Sequence, residues 1–499
     1  MKIFTKHPAT QGQIVRKDFS GGLNTAISAD GIAENQLSEV MNMEIDHSTG
    51  QLKTVGGTKD ILHIDTGDLF AVVVDSINNK ILIVKDNKEV CLSTSLDEPL
   101  GKLSGQLYPV YTAWEDGVLI ASGGKLQYYN GKILSTIDSP KANSVFIRAG
   151  RVLITDDTQI RYSGIGDENN WTDDSADASA SKFVEAGYKD GGSFVGMVSL
   201  SSDILLIKDN RRVYRLSGEY PDWVMQEVSR QVECKNRLAF CAVADAVYVL
   251  GSNEFQVFQT TDQYGDVKPS NVAALVSREI QKLPADVKVK YIPALNQIWI
   301  IGNVGYVLIF DNASNAWFIR HFNSHVIDVW SVGDTTYIAK KDRVSVIDET
   351  VFYDNGLPLM WKFKAQRLIS NHEYLLKRTQ IAIAARTTDL YSGSINVGAA
   401  IIPLPLPAYR IRIWQNRSRI YKNRLKIMVS ARNKGHYMQG DLVYNNINYV
   451  YGNTAKIFNT PSIIKESRNV FRSRFLDIGG SGSGGGFVLN SITMDIAEV

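Results

Sequence analysis

Short apolar runs recur along most of the chain, each stopped by a tight polar turn, and the clearest is Asn296 to Phe322, NQIWIIGNVGYVLIFDNASNAWFIRHF. Ile298, Trp299, Ile300 and Ile301 form one run, Gly302 and Asn303 end it, and Tyr306 to Phe310 form the next. A second turn, Asp311 to Asn315, leads into Trp317. Runs this short, bounded by Gly, Asn and Asp, predict three antiparallel strands joined by tight turns. Two or three strands cannot bury both faces in water, so the unit must stack on copies of itself.

Similar openings begin at Ile81, Val118, Val152, Ile204, Val247, Ile298 and Tyr337, at intervals of 34 to 52 residues. Propeller blades of the kelch and tryptophan-aspartate kinds repeat at roughly 40 to 50 residues with four strands each. The predicted fold is therefore all-β: a six- or seven-bladed β-propeller over residues 59–351, then a C-terminal β-sandwich-like domain over 352–499. Residues 1–58 read as an N-terminal clasp. There Asp30 is expected to cap a short helix through Asn42, with Leu37, Val40 and Met41 on one face, before a strand from Gln51 to Val55. A chain entering ahead of blade one can supply the outer strand of the last blade and close the ring. In the C-terminal region, strands are expected near Trp361 to Arg367, Arg378 to Ala385, Arg410 to Trp414, Arg424 to Val429 and Phe487 to Ile496. Pro403 to Pro407 reads as a stiff connector and Ser481 to Gly486 as a flexible loop.

The 499 residues, 44% of them hydrophobic, suffice for a packed core and more than one domain. No N-terminal stretch resembles a signal peptide and no apolar run approaches the roughly 20 residues of a membrane span. A soluble protein made in a cytoplasm is expected. Cys91, Cys234 and Cys241 lack metal-ligand spacing and read as free thiols.

Charge divides the chain. From Phe352 onward there are 20 Lys and Arg against 8 Asp and Glu, a net +12, which leaves 34 against 44, or −10, for residues 1–351. Such asymmetry bears on partners rather than on fold. Within the basic half, Tyr391 to Gly440 holds no acidic residue. Arg410 and Arg412 share one face of a strand by its period of two, and so do Lys422, Arg424 and Lys426, with Arg417 and Arg419 between them. The expected use of this cationic side is docking against an acidic neighbour such as the propeller of a second copy; a solvated face, a DNA contact and a contact with an anionic membrane are the other readings.

Chemistry is hard to place. The stretch from Gly164 to Asp190 carries Asp167, Glu168, Asp173, Asp174, Asp177, Glu185 and Asp190, but not the spacing of a calcium loop, and reads as solvated. Asp311 and Trp317 read as structural: the carboxylate accepts N–H groups within its turn, and the indole packs between blades. His321 and His325 are four apart, which converges on a helix and not on a strand. No phosphate loop, zinc-protease helix or nucleophile elbow is present. No catalytic residue, metal or cofactor is expected.

One resemblance covers the chain in order. FSGGLNT, IAENQLSEVMNMEID and the strand from Gly50 to the Gly56 and Gly57 pair are followed by IRYSGIGDENNWTDD, Ile160 to Asp174. This succession resembles the opening of head-to-tail propeller proteins of tailed bacteriophages. With FVGMVSLSSDILLIKDNRRVYRLSG and a C-terminal β-domain, the chain looks like the tail nozzle, or tail tubular, proteins of podoviruses. The resemblance implies a virion structural protein in the tail: a hexameric ring around a channel through which double-stranded DNA leaves the capsid. Its expected neighbours are a tail adaptor ring, through it the portal, and tail fibres or other tail components. The alternatives are a carbohydrate-binding or glycan-degrading propeller, or a minor tail protein of a long-tailed phage.

Overall fold

The computed structural model describes residues 11–498 except 66, 175, 176, 178, 261–266, 303, 386–391, 398–399, 404–409, 416–424, 432–437, 442–462, 466–470 and 484–485; within 370–476 the description is of the backbone. The seven apolar openings are the second strands of seven four-stranded antiparallel sheets: Lys80–Lys85, Gly117–Ala121, Arg151–Thr155, Asp203–Lys208, Ala246–Leu250, Gln297–Ile301 and Thr335–Lys340. Most of these strands are buried on both faces, which is why they read as continuous apolar runs rather than as alternation. The propeller has seven blades.

Each blade begins with an inner strand: Leu69–Asp75, Val110–Trp114, Ser144–Arg148, Phe194–Leu200, Phe240–Val243, Lys288–Ile292 and Val326–Val332. These neighbour one another in order, and the seventh lies beside the first. Buried clusters join consecutive blades. Val73, Leu82 and Val84 of the first pack with Val118, Ile120 and Tyr129 of the second, and Ile83 packs with Ile327 and Trp330 of the seventh.

The seventh blade takes its fourth strand, Gly57–His63, from ahead of the first, as the chain order predicts. Asp60 pins this closure: its Oδ2 accepts from Arg343 Nη1 at 2.8 Å and its Oδ1 from Ser345 Oγ at 2.6 Å. Burial works against the charge, but the hydrogen bonds from Ser345 and Arg343 and the nearby Lys340 hold its carboxyl below the usual range. A group depressed in the folded state stabilises above its unfolded pKa and loses that contribution as pH falls through the folded value. Asp60→Asn should therefore lower the thermal midpoint at pH 7, and the gap to the parent should shrink below about pH 4. A constant gap across an acid titration followed by circular dichroism would contradict the ion pair.

The chain divides into two compact units, Asp60–Val304 with Ser324–Val346, and Met1–Lys59 with Gly305–Asn323 and Ile347–Val499. In the second unit the N- and C-terminal segments share two large sheets. One contains Gln11–Arg16, Met43–Ile45, Leu52–Thr54, Leu368–Ala385 and Phe487–Glu498. The other contains Gly22–Leu23, Gln36–Met41, Met360–Ala365, Ile478–Ser483 and the basic strands Arg410–Gln415 and Leu425–Ala431. Trp361 of one meets Phe487 of the other edge to face, with ring centroids 4.9 Å apart. The sandwich-like arrangement expected of residues 352–499 is thus completed by strands of the N-terminal segment, which was expected to stand apart as a clasp.

Two local expectations are corrected. Residues 36–41 form a strand, not a helix. A bulge between Leu37 and Glu39 inserts one residue against Met360–Ala365, so Leu37 and Val40 are both buried although three apart. Helix-like spacing is thus what a bulged strand writes into its sequence. In the glycine-rich segment, residues 481–483 belong to a strand paired on both sides, by Met360–Ala365 and by Ser392–Val397. The connector beyond Pro403 lies outside the described residues.

No helix among the described residues is long and apolar enough to cross a membrane.

Candidate functional site

One buried polar cluster joins the inner strands of several blades. Asp328, on the seventh inner strand, is 2% exposed. Its Oδ2 accepts from Tyr108 Oη at 2.5 Å, and Lys290 Nζ lies 3.2 Å from Oδ1 and 3.3 Å from Oδ2. Lys288 stands two residues from Lys290, hence on the same strand face; its Nζ donates to the Ile327 carbonyl and sits 3.8 Å from the centroid of the Tyr108 ring. Arg237, just ahead of the fifth inner strand, donates to the carbonyls of Tyr108 and Asn143. Those residues precede the inner strands of the second and third blades, so in a ring of seven the guanidinium reaches across the axis.

Burial shifts these groups. It pushes Lys288 down to about 8 and Arg237 to about 10. Burial also opposes the charge of Lys290, but Asp328 overrides it and holds that ammonium above its ordinary value. Burial, followed by the Asp328 charge, drives the Tyr108 phenol far up. Strongly shifted groups in one place mark functional-site candidates, and also structural ion networks. Here each named cation donates to a carbonyl or carboxylate of the protein, so the geometry acts as a polar plug: the lysines tie the neighbouring inner strands of blades six and seven, and Arg237 links the start of blade five to the segments ahead of blades two and three.

The sequence reading missed this cluster. Its traces were a Lys-x-Lys pair within KVKYI and a lone acid within VIDVW, both too short to distinguish from an ordinary strand.

The expected basic pair of strands is present. Arg410–Gln415 and Leu425–Ala431 run antiparallel, with Arg412 opposite Lys426 and Arg410 opposite Met428. Arg417, Arg419, Lys422 and Arg424 lie outside the described residues.

Asp311 and Trp317 flank the turn of the sixth blade's outer hairpin. Asp311 Oδ1 accepts the Ser314 N–H at 2.9 Å and its hydroxyl at 2.8 Å, while Oδ2 is 3.2 Å from His47 Nε2. Trp317 is tilted on Phe310 with centroids 4.9 Å apart, a contact inside the hairpin. The N-terminal segment covers the edge strand Ala316–His321. Gly22 comes so close that a Cβ there would lie 2.8 Å from the Ala316 Cβ and 2.9 Å from the Trp317 backbone, so only glycine fits. Asn42 adopts positive φ; its side-chain N–H donates to the His321 carbonyl at 3.1 Å and its side-chain oxygen accepts the His321 N–H at 2.8 Å. The carboxamide replaces a neighbouring strand and closes an edge otherwise open to aggregation.

In the acidic stretch after Gly164, Asp167, Asp173, Asp174, Asp177 and Glu185 are exposed as expected, and Glu168 and Asp190 are the exceptions. Glu168 accepts the Trp114 indole N–H at 3.1 Å, and Asp190 is buried against Lys208. Among the described residues no group of three or more His, Cys, Asp or Glu is placed to hold a metal. The cysteines are free; Cys91 is buried, and burial pushes the Cys234 thiol up to about 12.

No family model matches the chain, and no curated protein matches it. Among solved structures it is similar to YCF48 from Cyanidioschyzon merolae, at 10% identity over 58% of this chain and 98% of that one, with a TM-score of 0.37. It is also similar to the β-propeller domain of Cps50 (Swd1) from Myceliophteria thermophila, at 8% identity, 58% and 98% coverage and a TM-score of 0.41. BamB from Moraxella catarrhalis matches at 11% identity, 68% and 99% coverage and a TM-score of 0.39. These likenesses bear on the fold alone, and the seven blades rest on the chain's own strand pairing.

Proposed function

We propose that this seven-bladed propeller is a structural subunit of a phage tail nozzle, assembled as a ring of six around a channel for genome ejection and docked to the adaptor and portal. One observation carries the reading: the residues that bear the phage resemblance are structural connectors. Phe19, Leu37, Val40, Met43 and Ile45 are buried, Gly22 and Asn42 cover a blade edge, and the segment that follows closes the ring. A stretch devoted to joining elements suits a load-bearing wall rather than a reaction centre.

The axial plug bears on where DNA would pass. Arg237 bridges strands across the propeller axis, which leaves no room for a duplex, so the channel lies between copies. Each cation that neutralises a phosphate adds roughly one unit of salt dependence and holds DNA that should slide. The acidic propeller therefore forms most of the channel wall, and the basic strands at Arg410, Arg412 and Lys426 dock against a neighbouring subunit or tail component.

Native mass spectrometry of the purified chain, followed by imaging, should show a closed ring of six, alone or on addition of the adaptor. A chain that stays monomeric under both conditions would sink the nozzle reading. A ring with Arg410 and Arg412 facing the bore would overturn the wall assignment.

A further inference from the structure

A cleft of about 350 Å³ opens where the fourth strand of blade three, Lys182–Glu185, and the loop after it meet the second strand of blade four. Its volume falls at the lower end of the roughly 300–1,000 Å³ usual for small-ligand sites. Lys208, 2% exposed, lines it and donates to Asp190 Oδ1 at 2.5 Å and to the Ala186 carbonyl at 3.0 Å. Asp190 also accepts the Gly192 N–H at 3.0 Å and Tyr214 Oη at 2.9 Å. Burial opposes its charge, yet the bonds from Lys208, Gly192 and Tyr214 hold its carboxyl at about 2. The buried pair is internally neutralised, which favours an uncharged polar ligand over an anion.

The loop is shaped around this pair. A Cβ on Gly187, where φ is +68°, would lie 2.2 Å from both Asp190 Oδ2 and Tyr214 Oη, so the tight approach requires glycine. The same turn holds Tyr188 out at the cleft with 73% of its surface exposed, the Lys189 ammonium 5.0 Å from its ring. Glu185, three residues before Tyr188, also lines the cleft and is exposed; among the described residues its carboxylate takes one long 3.4 Å contact, from Gln159, and keeps acceptor capacity. An ammonium has three donors, and two hydrogen bonds hold Lys208 in place.

We infer that this cleft binds a neutral pyranoside, its C–H face against Tyr188 and its hydroxyls shared between the Glu185 carboxylate and the Lys208 ammonium. An exposed ring beside a fixed acceptor and a fixed donor is the chemistry that recognises such a ligand, apolar on one face and hydroxylated at its edge. The site needs one folded chain and no assembly, so it stands or falls apart from the nozzle reading.

Saturation-transfer NMR on the full chain, with methyl glycosides of glucose, galactose, mannose and N-acetylglucosamine at millimolar concentration, tests it. At least one should receive saturation, and Tyr188→Ala and Glu185→Gln should each weaken its binding about tenfold or more. Both side chains are exposed, so an unchanged thermal midpoint separates lost binding from lost fold. Absence of binding across the panel, equal binding by Tyr188→Ala, or displacement of the glycoside by inorganic phosphate would overturn the assignment.

Discussion

Arg151→Met should destabilise the propeller by about 3–5 kcal/mol, among the largest single effects in the molecule. Arg151 opens the second strand of blade three and is 0% exposed. Its Nη1 donates to the carbonyls of Ser163 at 2.6 Å, Ser179 at 3.2 Å and Ala180 at 2.9 Å. Its guanidinium lies 4.3 Å from the centroid of the Tyr220 ring and 5.1 Å from that of Tyr162. Methionine fills similar space but donates nothing, so three carbonyls lose a buried donor and two rings lose their cation. Lysine keeps the charge without the fork and should recover less than half. Because Ser179 and Ala180 end the long loop after Gly164, the variant should also be cut by protease within 164–181 at native temperature. A thermal midpoint lowered on the order of 10 °C is expected; a shift of one or two degrees with an intact loop would refute the staple.

Asp328→Ala should cost a similar amount, about 3–5 kcal/mol, by a different route. It leaves the Lys290 ammonium and the Tyr108 hydroxyl without the acceptor they share. Asp328→Asn, which keeps an acceptor but not the charge, should lose less. Adding Lys290→Met to Asp328→Ala should restore part of the loss, since removing both partners is milder than stranding one.

The pH dependence carries the sign of the effect. In the parent protein Lys290 is raised, so its contribution is complete below pH 10.5 and is lost as pH climbs through the folded value. Lys288 is depressed to about 8, so the unfolded chain binds more protons between about pH 8 and 10.5 and that group makes stability rise with pH there. Without Asp328 both lysines are depressed, and the variant's deficit should narrow from pH 7 to pH 10 as they lose their protons. A deficit that widens over that range, measured by chemical denaturation, would contradict the charge pairing.

The blades were legible because their chemistry is local. A second strand buried on both faces is apolar over most of its length, with any charged residue near an end, as Arg151 and Lys208 are, and seven such runs wrote the openings from Ile81 to Tyr337. The Asp311 turn was legible for the same reason, since Asp311 and Ser314 are three residues apart. The clasp was half legible: that an N-terminal strand closes the ring followed from chain order, whereas its helix was a misreading of a bulge that only the partner strand Met360–Ala365 imposes.

The order of strands, the number of blades within one, the charge division and the positions of the turns were determined by the amino-acid sequence, through short-range periodicity and burial. The tertiary structure alone decided what depends on groups far apart in the chain. Asn42 meets His321 across 279 positions, Tyr108 meets Asp328 across 220, and Asp190 leaves its acidic loop to join Lys208. A hydrogen bond or ion pair of this kind leaves no period in the sequence, because each partner is a single polar residue whose meaning is set by the strand that folding brings beside it.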